Sequence, residues 1–159
     1  LLLEKVEFQS LCLTLNNQTN KKQLCLLFNE QEIRYASAVQ INNLKQLSKL
    51  GFAIGLNDFA KDRCELNLLT EIDFNYVLLS STFSKRVLQQ QSYDLQLQGV
   101  LAITKIKQIK VIAKGPSILN FRALLDTHGL SLFVGKQHAM TIPAENTLTP
   151  DDDAEQQLN

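Results

Sequence analysis

The sequence predicts an α/β chain of parallel βα units, and three observations carry that reading. Short apolar runs of four to six residues recur along the chain at 11–15, 23–28, 52–56, 76–79, 110–113 and 130–133. Between most of them lie longer stretches whose apolar residues return at helical spacing. Glycines stand where those stretches end, at Gly51 and Gly129, as helix C-termini prefer. Strands separated by amphipathic helices imply right-handed parallel crossovers, leaving a doubly wound sheet or a barrel.

In chain order, 11–15 and 23–28 read as strands buried on both faces, the second rich in Leu and Cys. Over 30–50, Ile33, Ala36, Ile41, Leu44, Leu47 and Leu50 mark one helix closed by Gly51. Strands follow at 52–56, 76–79 and 110–113. A long helix is predicted over 84–105, with a polar patch at Gln89-Gln90-Gln91. A last helix at 118–127 leads through Gly129 to a sixth strand at 130–133. The linker 16–22 is shorter than the dozen or so residues a parallel crossover takes. A helix expected between Leu15 and Gln23 is therefore read as missing, and the fold as incomplete or trimmed at its N-terminus. Residues 144–159, with Asp151-Asp152-Asp153, read as an acidic flexible tail, and 1–143 as the domain.

Composition excludes more than it names. The 159 residues hold 16 Lys+Arg against 16 Asp+Glu, for a formal net charge of zero. A nucleic-acid groove needs a basic surplus to displace counterions, and an anionic membrane attracts polybasic segments. Neither is present. No apolar run approaches the roughly 18 residues of a membrane span. Three cysteines without a CxxC pair fit neither a disulfide framework nor a zinc knuckle, and point to a reducing, cytoplasmic setting.

Chemistry-bearing residues are few. His128, beside Gly129, suits a helix-end role, and His138 could line a site; neither has HExxH or HxH spacing. Cys12 and Cys25 alternate with Leu and read as small buried hydrophobes. Cys64 follows Arg63, which could depress its pKa, but nothing nearby supplies the base a nucleophile needs. Glu30, Asp58 and Asp62 fall just beyond strands, where barrel enzymes place metals and bases; a helix N-cap is the plainer role for Asp58.

A resemblance then enters, carried by motifs in register. Residues 44–59, LKQLSKLGFAIGLNDF, resemble the EAL-domain segment ending L-x-x-x-G-F-x-I-A-L-D-D-F-G. Leu66, Leu68 and Leu69 fall where that family has S-S-L-x-x-L. IDFNYVLLSSTF, 72–83, occupies the place of P-V-D-x-I-K-I-D-x-x-F, and IKVIAKGPS, 109–117, is similar to L-x-V-V-A-E-G-V-E. HGLSLFVGK, 128–136, resembles L-G-C-D-x-x-Q-G-Y, with Pro143 after it, and LCLLFNE, 24–30, resembles L-V-L-E-I-T-E. The similarity implies a TIM-barrel fold of parallel βα repeats and kinship with phosphodiesterases of cyclic di-GMP.

It also implies a dismantled site. In the family, acidic and amide groups at the strand ends hold two divalent cations that activate water. Here Leu27 replaces the first glutamate of L-E-I-T-E while Glu30 keeps the last, and Asn57 replaces the first aspartate of D-D-F while Asp58 remains. Leu78 and Ser80 stand for the lysine and aspartate of K-I-D, Lys114 and Ser117 for the glutamates of A-E-G-V-E, and Val134 for the glutamine of Q-G-Y. Thr14 stands roughly where a metal-binding Asn belongs, and no E-A-L strand is found. Hydrophobic Leu27, Leu78 and Val134 are expected to close the pocket. The expectation is a degenerate EAL-like domain, catalytically inactive and without a cofactor. It would serve bacterial signalling by binding another protein or itself, with a non-hydrolysing cyclic di-GMP receptor as the alternative. The glutamine-rich stretch 89–98, with Tyr93, and the loop 60–65 are its candidate contact surfaces.

Overall fold

The computed structural model describes residues 5–16, 24–115, 122, 124, 126–130 and 132–135. The tail proposed for 144–159, together with Ser117, His138 and Pro143, lies outside them. Five strands form one parallel sheet in strictly sequential order: β1 (Cys25–Asn29), β2 (Ala53–Phe59), β3 (Tyr76–Leu79), β4 (Lys110–Lys114) and β5 (Leu132–Val134). A doubly wound sheet reverses its strand order at a switch point. Sequential order without reversal is that of a barrel wall, so the barrel alternative holds.

Strand alternation sorts the side chains. Phe28, Ile54, Leu56, Phe59, Val77, Leu79, Val111 and Ala113 point to the helical side and are buried in one core with Leu44, Leu47, Phe83, Leu97 and Val100. The opposite face carries Cys25, Leu27, Asn29, Gly55, Asn57, Tyr76, Leu78, Lys110, Ile112 and Lys114, matched across strands by the register Leu27↔Gly55, Asn29↔Asn57 and Leu78↔Ile112. Among the described residues this face is open toward its edges, where Leu27 is 50% exposed and Val134 53%. The expectation that β1 is buried on both faces is thus corrected, and Cys25 is exposed. Nor do Leu27 and Val134 close a pocket; of the three hydrophobic replacements, Leu78 is the buried one. Leu27 and Cys25 lean over Gly55, occupying the space a β-carbon would need.

Helices precede and connect the strands, and several differ from expectation. Residues 11–15 are not a strand but part of α1 (Lys5–Asn16). The alternation of Leu11, Leu13 and Leu15 suggested period two, but Phe8, Leu11 and Cys12 set a helical stripe that meets the core, leaving Leu13 71% exposed. Because α1 lies before β1, the helix sought between Leu15 and Gln23 is found earlier in the chain.

The helix expected over 30–50 is two: α2 (Glu30–Arg34) and α3 (Ala38–Lys49). Ser37 restarts it, its Oγ accepting from the Gln40 N–H at 3.3 Å while Gln40 Oε1 accepts from the Ser37 N–H at 2.7 Å, a capping box. Gly51 follows α3 with φ of 94°, a conformation natural only to glycine.

A one-turn helix not expected from the sequence, α4 (Leu68–Glu71), precedes β3. The long helix over 84–105 is likewise divided, into α5 (Ser81–Val87) and α6 (Gln91–Ile106), at the glutamine patch. Residues 122, 124 and 126–128 are helical, within the predicted last helix or one residue past it. Among the described residues no helix is long and apolar enough to cross a membrane.

Candidate functional site

The C-terminal ends of β1, β2 and β4 converge on a chain of polar contacts. A bulge makes it possible. Register between β2 and β3 shifts between Leu56 and Phe59, and Asp58 adopts φ of 56°, so regular alternation fails there. Consecutive residues Asn57 and Asp58 therefore both reach Lys114 on β4. Lys114 Nζ donates to Asp58 Oδ1 at 2.5 Å and to Asn57 Oδ1 at 3.1 Å. Asn57 Nδ2 in turn donates to Asn29 Oδ1 at 2.8 Å. The Lys114–Asp58 pair is part-exposed, with side chains 28% and 39% accessible, so its contribution to stability is small. Its consequence is one of occupancy: an ammonium group sits among the oxygen donors of the strand ends.

A second network lies at the start of α2. Glu30 is buried at 3% exposure. Arg34 Nη2 donates to Glu30 Oε1 at 2.6 Å, and Arg34 Nε lies 3.3 Å from Glu65 Oε1. Glu30 also accepts backbone N–H groups of Ala60 and Lys61, fixing the turn that leaves β2. Burial raises its pKa above the ordinary carboxylate value, against the opposing pull of Arg34 and those hydrogen bonds. Ala60 holds φ of 58° in that turn, a strained position for a residue with a β-carbon. Ala60→Gly is expected to raise folding stability by about 1 kcal/mol, measured as a shift in urea midpoint with unchanged slope.

Several expected roles change on this geometry. Asp58 caps no helix; it is the bulge residue paired with Lys114. Asp62 accepts a hydrogen bond from Gln31 Nε2 at 3.4 Å, tying the loop after β2 to α2. Thr14 is on α1, its hydroxyl donating to Ser10 O at 3.0 Å, and is no strand-end ligand. Ser80 is the N-cap of α5, Oγ accepting from the Phe83 N–H at 3.1 Å, a task serine performs as well as aspartate. His128 Nε2 lies 2.8 Å from Asp94 Oδ1 on α6, so it ties the last helical segment to α6. Tyr93 packs edge-on against Phe83 with Arg86 over its ring at 5.4 Å, and Leu97 is fully buried; the 89–98 stretch is partly core, not purely surface.

Cys64 does not show the lowered pKa that its neighbour Arg63 could have given it. Burial, reinforced by the nearby Glu30 charge, pushes its thiol up to about 11. At neutral pH it is a thiol rather than a thiolate. Iodoacetamide at about pH 8 should therefore leave Cys64 largely unmodified while the protein is folded and label it rapidly in denaturant, read by peptide mass spectrometry. Labelling at equal rates would mean the loop 60–65 does not bury it.

Asn29 and Arg34 were not singled out from the sequence. Arg34 stands four residues after Glu30, the spacing of a helical ion pair, a signal that was available. Asn29 had none, because its role depends on the strand pairing that sets it opposite Asn57.

The comparisons with known proteins complete the picture. The EAL domain family profile matches residues 2–115. The chain belongs to the EAL family. Solved structures agree at the level of fold. The chain is similar to the EAL domain of DcpA from Mycobacterium smegmatis (16% identity, TM-score 0.67, covering 81% of this chain and 58% of that one). It is also similar to the S helix-GGDEF-EAL portion of LapD from Vibrio cholerae (16%, 0.72, 83% and 32%) and to the phosphodiesterase PaMucR in complex with c-di-GMP (19%, 0.67, 84% and 56%). The chain thus spans between a third and three-fifths of these solved chains. No curated protein matches it.

Membership implies a pair of divalent cations, and the described residues do not fit one. Hard cations take six or more oxygen ligands each, with charged carboxylates foremost. Among the described residues no three of His, Cys, Asp or Glu are grouped to hold a metal ion. Asn57 Oδ1 and Asp58 Oδ1 already hold the Lys114 ammonium, and Asn29 Oδ1 accepts from Asn57 Nδ2.

Proposed function

We propose that this EAL domain is catalytically silent and acts by binding another protein in cyclic di-GMP signalling, in the cytoplasm. One observation carries the reading: Lys114 Nζ is bonded to Asp58 Oδ1 and Asn57 Oδ1, so a fixed cation stands where the family's activity calls for metals. Glu30, Asn57, Asp58 and Lys114 are the remnants or substitutes of the metal-site motifs. A lysine supplies one positive charge and donors only; it cannot bind water as a Lewis acid and lower its pKa. With one carboxylate paired to Lys114 and no cluster of metal-ligating side chains among the described residues, the strand ends lack the groups that would generate hydroxide. Titration with Mn²⁺ tests this, and no saturable heat is the expected result.

A second reading has support from the relatives. PaMucR is described in a c-di-GMP complex, as is a standalone EAL protein from Vibrio cholerae. Binding without hydrolysis would use the same open strand ends, with Lys114 and the amides of Asn29 and Asn57 as donors to phosphate. Calorimetric titration with cyclic di-GMP separates the two. Micromolar binding weakened by Lys114→Met favours the receptor; no heat favours the protein-binding module.

A further inference from the structure

A groove on the helical side of the sheet has features that neither the strand-end network nor the core accounts for. It lies between α3 and α4 and has a volume of about 440 Å³, within the range of binding clefts. Its walls come from α2, α3 and the segment 65–72 that holds the one-turn α4. The floor is apolar: Ile33, Leu68 and Ile72 are buried and Ile41 half-buried.

The walls carry charges of two kinds. Arg34 Nε lies 3.3 Å from Glu65 Oε1 without a hydrogen bond to it, while Arg34 Nη2 is bonded to Glu30. Lys45 on α3 and Glu71 on α4 line the same groove, yet the groove keeps them more than an ion-pair distance apart, and neither has a polar partner among the described residues. Tyr35, between the groove residues Arg34 and Ala36 on the turn from α2 to α3, is 80% exposed. An apolar floor, an aromatic shoulder and one open charge of each sign on opposite walls match an amphipathic helix lying in a groove.

Resting on the protein-binding reading above, we propose that this groove docks an amphipathic helical segment of a partner protein. An apolar side chain of that segment fills the floor between Ile41 and Ile72, a carboxylate faces Lys45, and a cation faces Glu71.

The test uses three labelled alanine-based helical peptides of about 15 residues. Each has leucines along one face, flanked on that face by Glu and Lys, by two Glu, or by two Lys. Fluorescence anisotropy against the full chain should show the Glu–Lys peptide bound about fivefold more tightly than either like-charged peptide, as two modest ion pairs allow. Lys45→Glu should move the preference to the Lys–Lys peptide, and Glu71→Lys to the Glu–Glu peptide. Both positions are exposed, so the variants retain the fold. Absence of binding, equal binding of all three, or a ranking indifferent to either variant overturns the proposal. That failure is distinct from failure of the catalytic reading, which is decided by metal titration and cyclic di-GMP hydrolysis without any peptide.

Discussion

Restoring carboxylates at the strand ends is expected to convert a protein indifferent to Mn²⁺ into one stabilised by it. Leu27→Glu, Asn57→Asp and Lys114→Glu replace an apolar side chain, an amide and an ammonium with carboxylates, which with Asp58 make four at 27, 57, 58 and 114. Residues 27, 57 and 114 share one face of the sheet, and the bulge brings Asp58 round to Lys114. Four like charges at close range repel, so without metal the variant should be less stable than the natural chain. A divalent cation bound only by the folded state would offset this. At about a hundredfold excess over its dissociation constant it contributes about 2.7 kcal/mol, a rise of about 5–10 °C in melting temperature for a domain of this size. The natural chain should show no rise. Metal-independent melting of the variant would mean that these positions do not converge on one point.

Arg34→Ala is expected to have the largest effect on folding. Glu30 is buried, and Arg34 is the charged group bonded to it. Removing one partner of a buried pair leaves the other charge uncompensated, at about 3 kcal/mol, a substantial share of an ordinary domain's stability. The pH dependence follows from the direction of the Glu30 shift. Its pKa in the folded state is already raised by burial, and losing Arg34 raises it further. A carboxyl whose folded pKa lies above its unfolded value is favoured in its neutral form. Its stabilising contribution is present at low pH and lost as pH rises through the folded pKa. The variant's deficit should thus be large at about pH 8 and smaller at about pH 5, read by urea denaturation. A pH-independent deficit would place its cause in lost packing of the arginine stem rather than in Glu30.

Much of the central sheet was legible in the sequence because its signals are local. β3 falls at Tyr76–Leu79 as its apolar run indicates, and β2 and β4 differ only at their ends. The resemblance placed Lys114 among the family's metal ligands, and the A-K-G spelling alone sufficed for that. What was not legible depends on context. The window 11–15 fits period two and period 3.6 equally, and only Phe8, outside it, decides for a helix. The breaks at Tyr35–Ser37 and Leu88–Gln90 follow from capping geometry and a polar patch, which periodicity averages away. Exposure of Leu27 and Cys25 could not be read from hydrophobicity, since it depends on what lies across the sheet. The contact from Lys114 to two consecutive residues of β2 requires a bulge. Strict alternation would have turned Asp58 toward the helices, as it turns Leu56.

The lysine at position 114 is the centre of the account, and hydrolysis of cyclic di-GMP addresses it most directly. Purified protein incubated with the dinucleotide and Mg²⁺ or Mn²⁺, followed by chromatography over hours, is predicted to return the substrate unchanged. Accumulation of linear pGpG above the rate without protein would contradict the account.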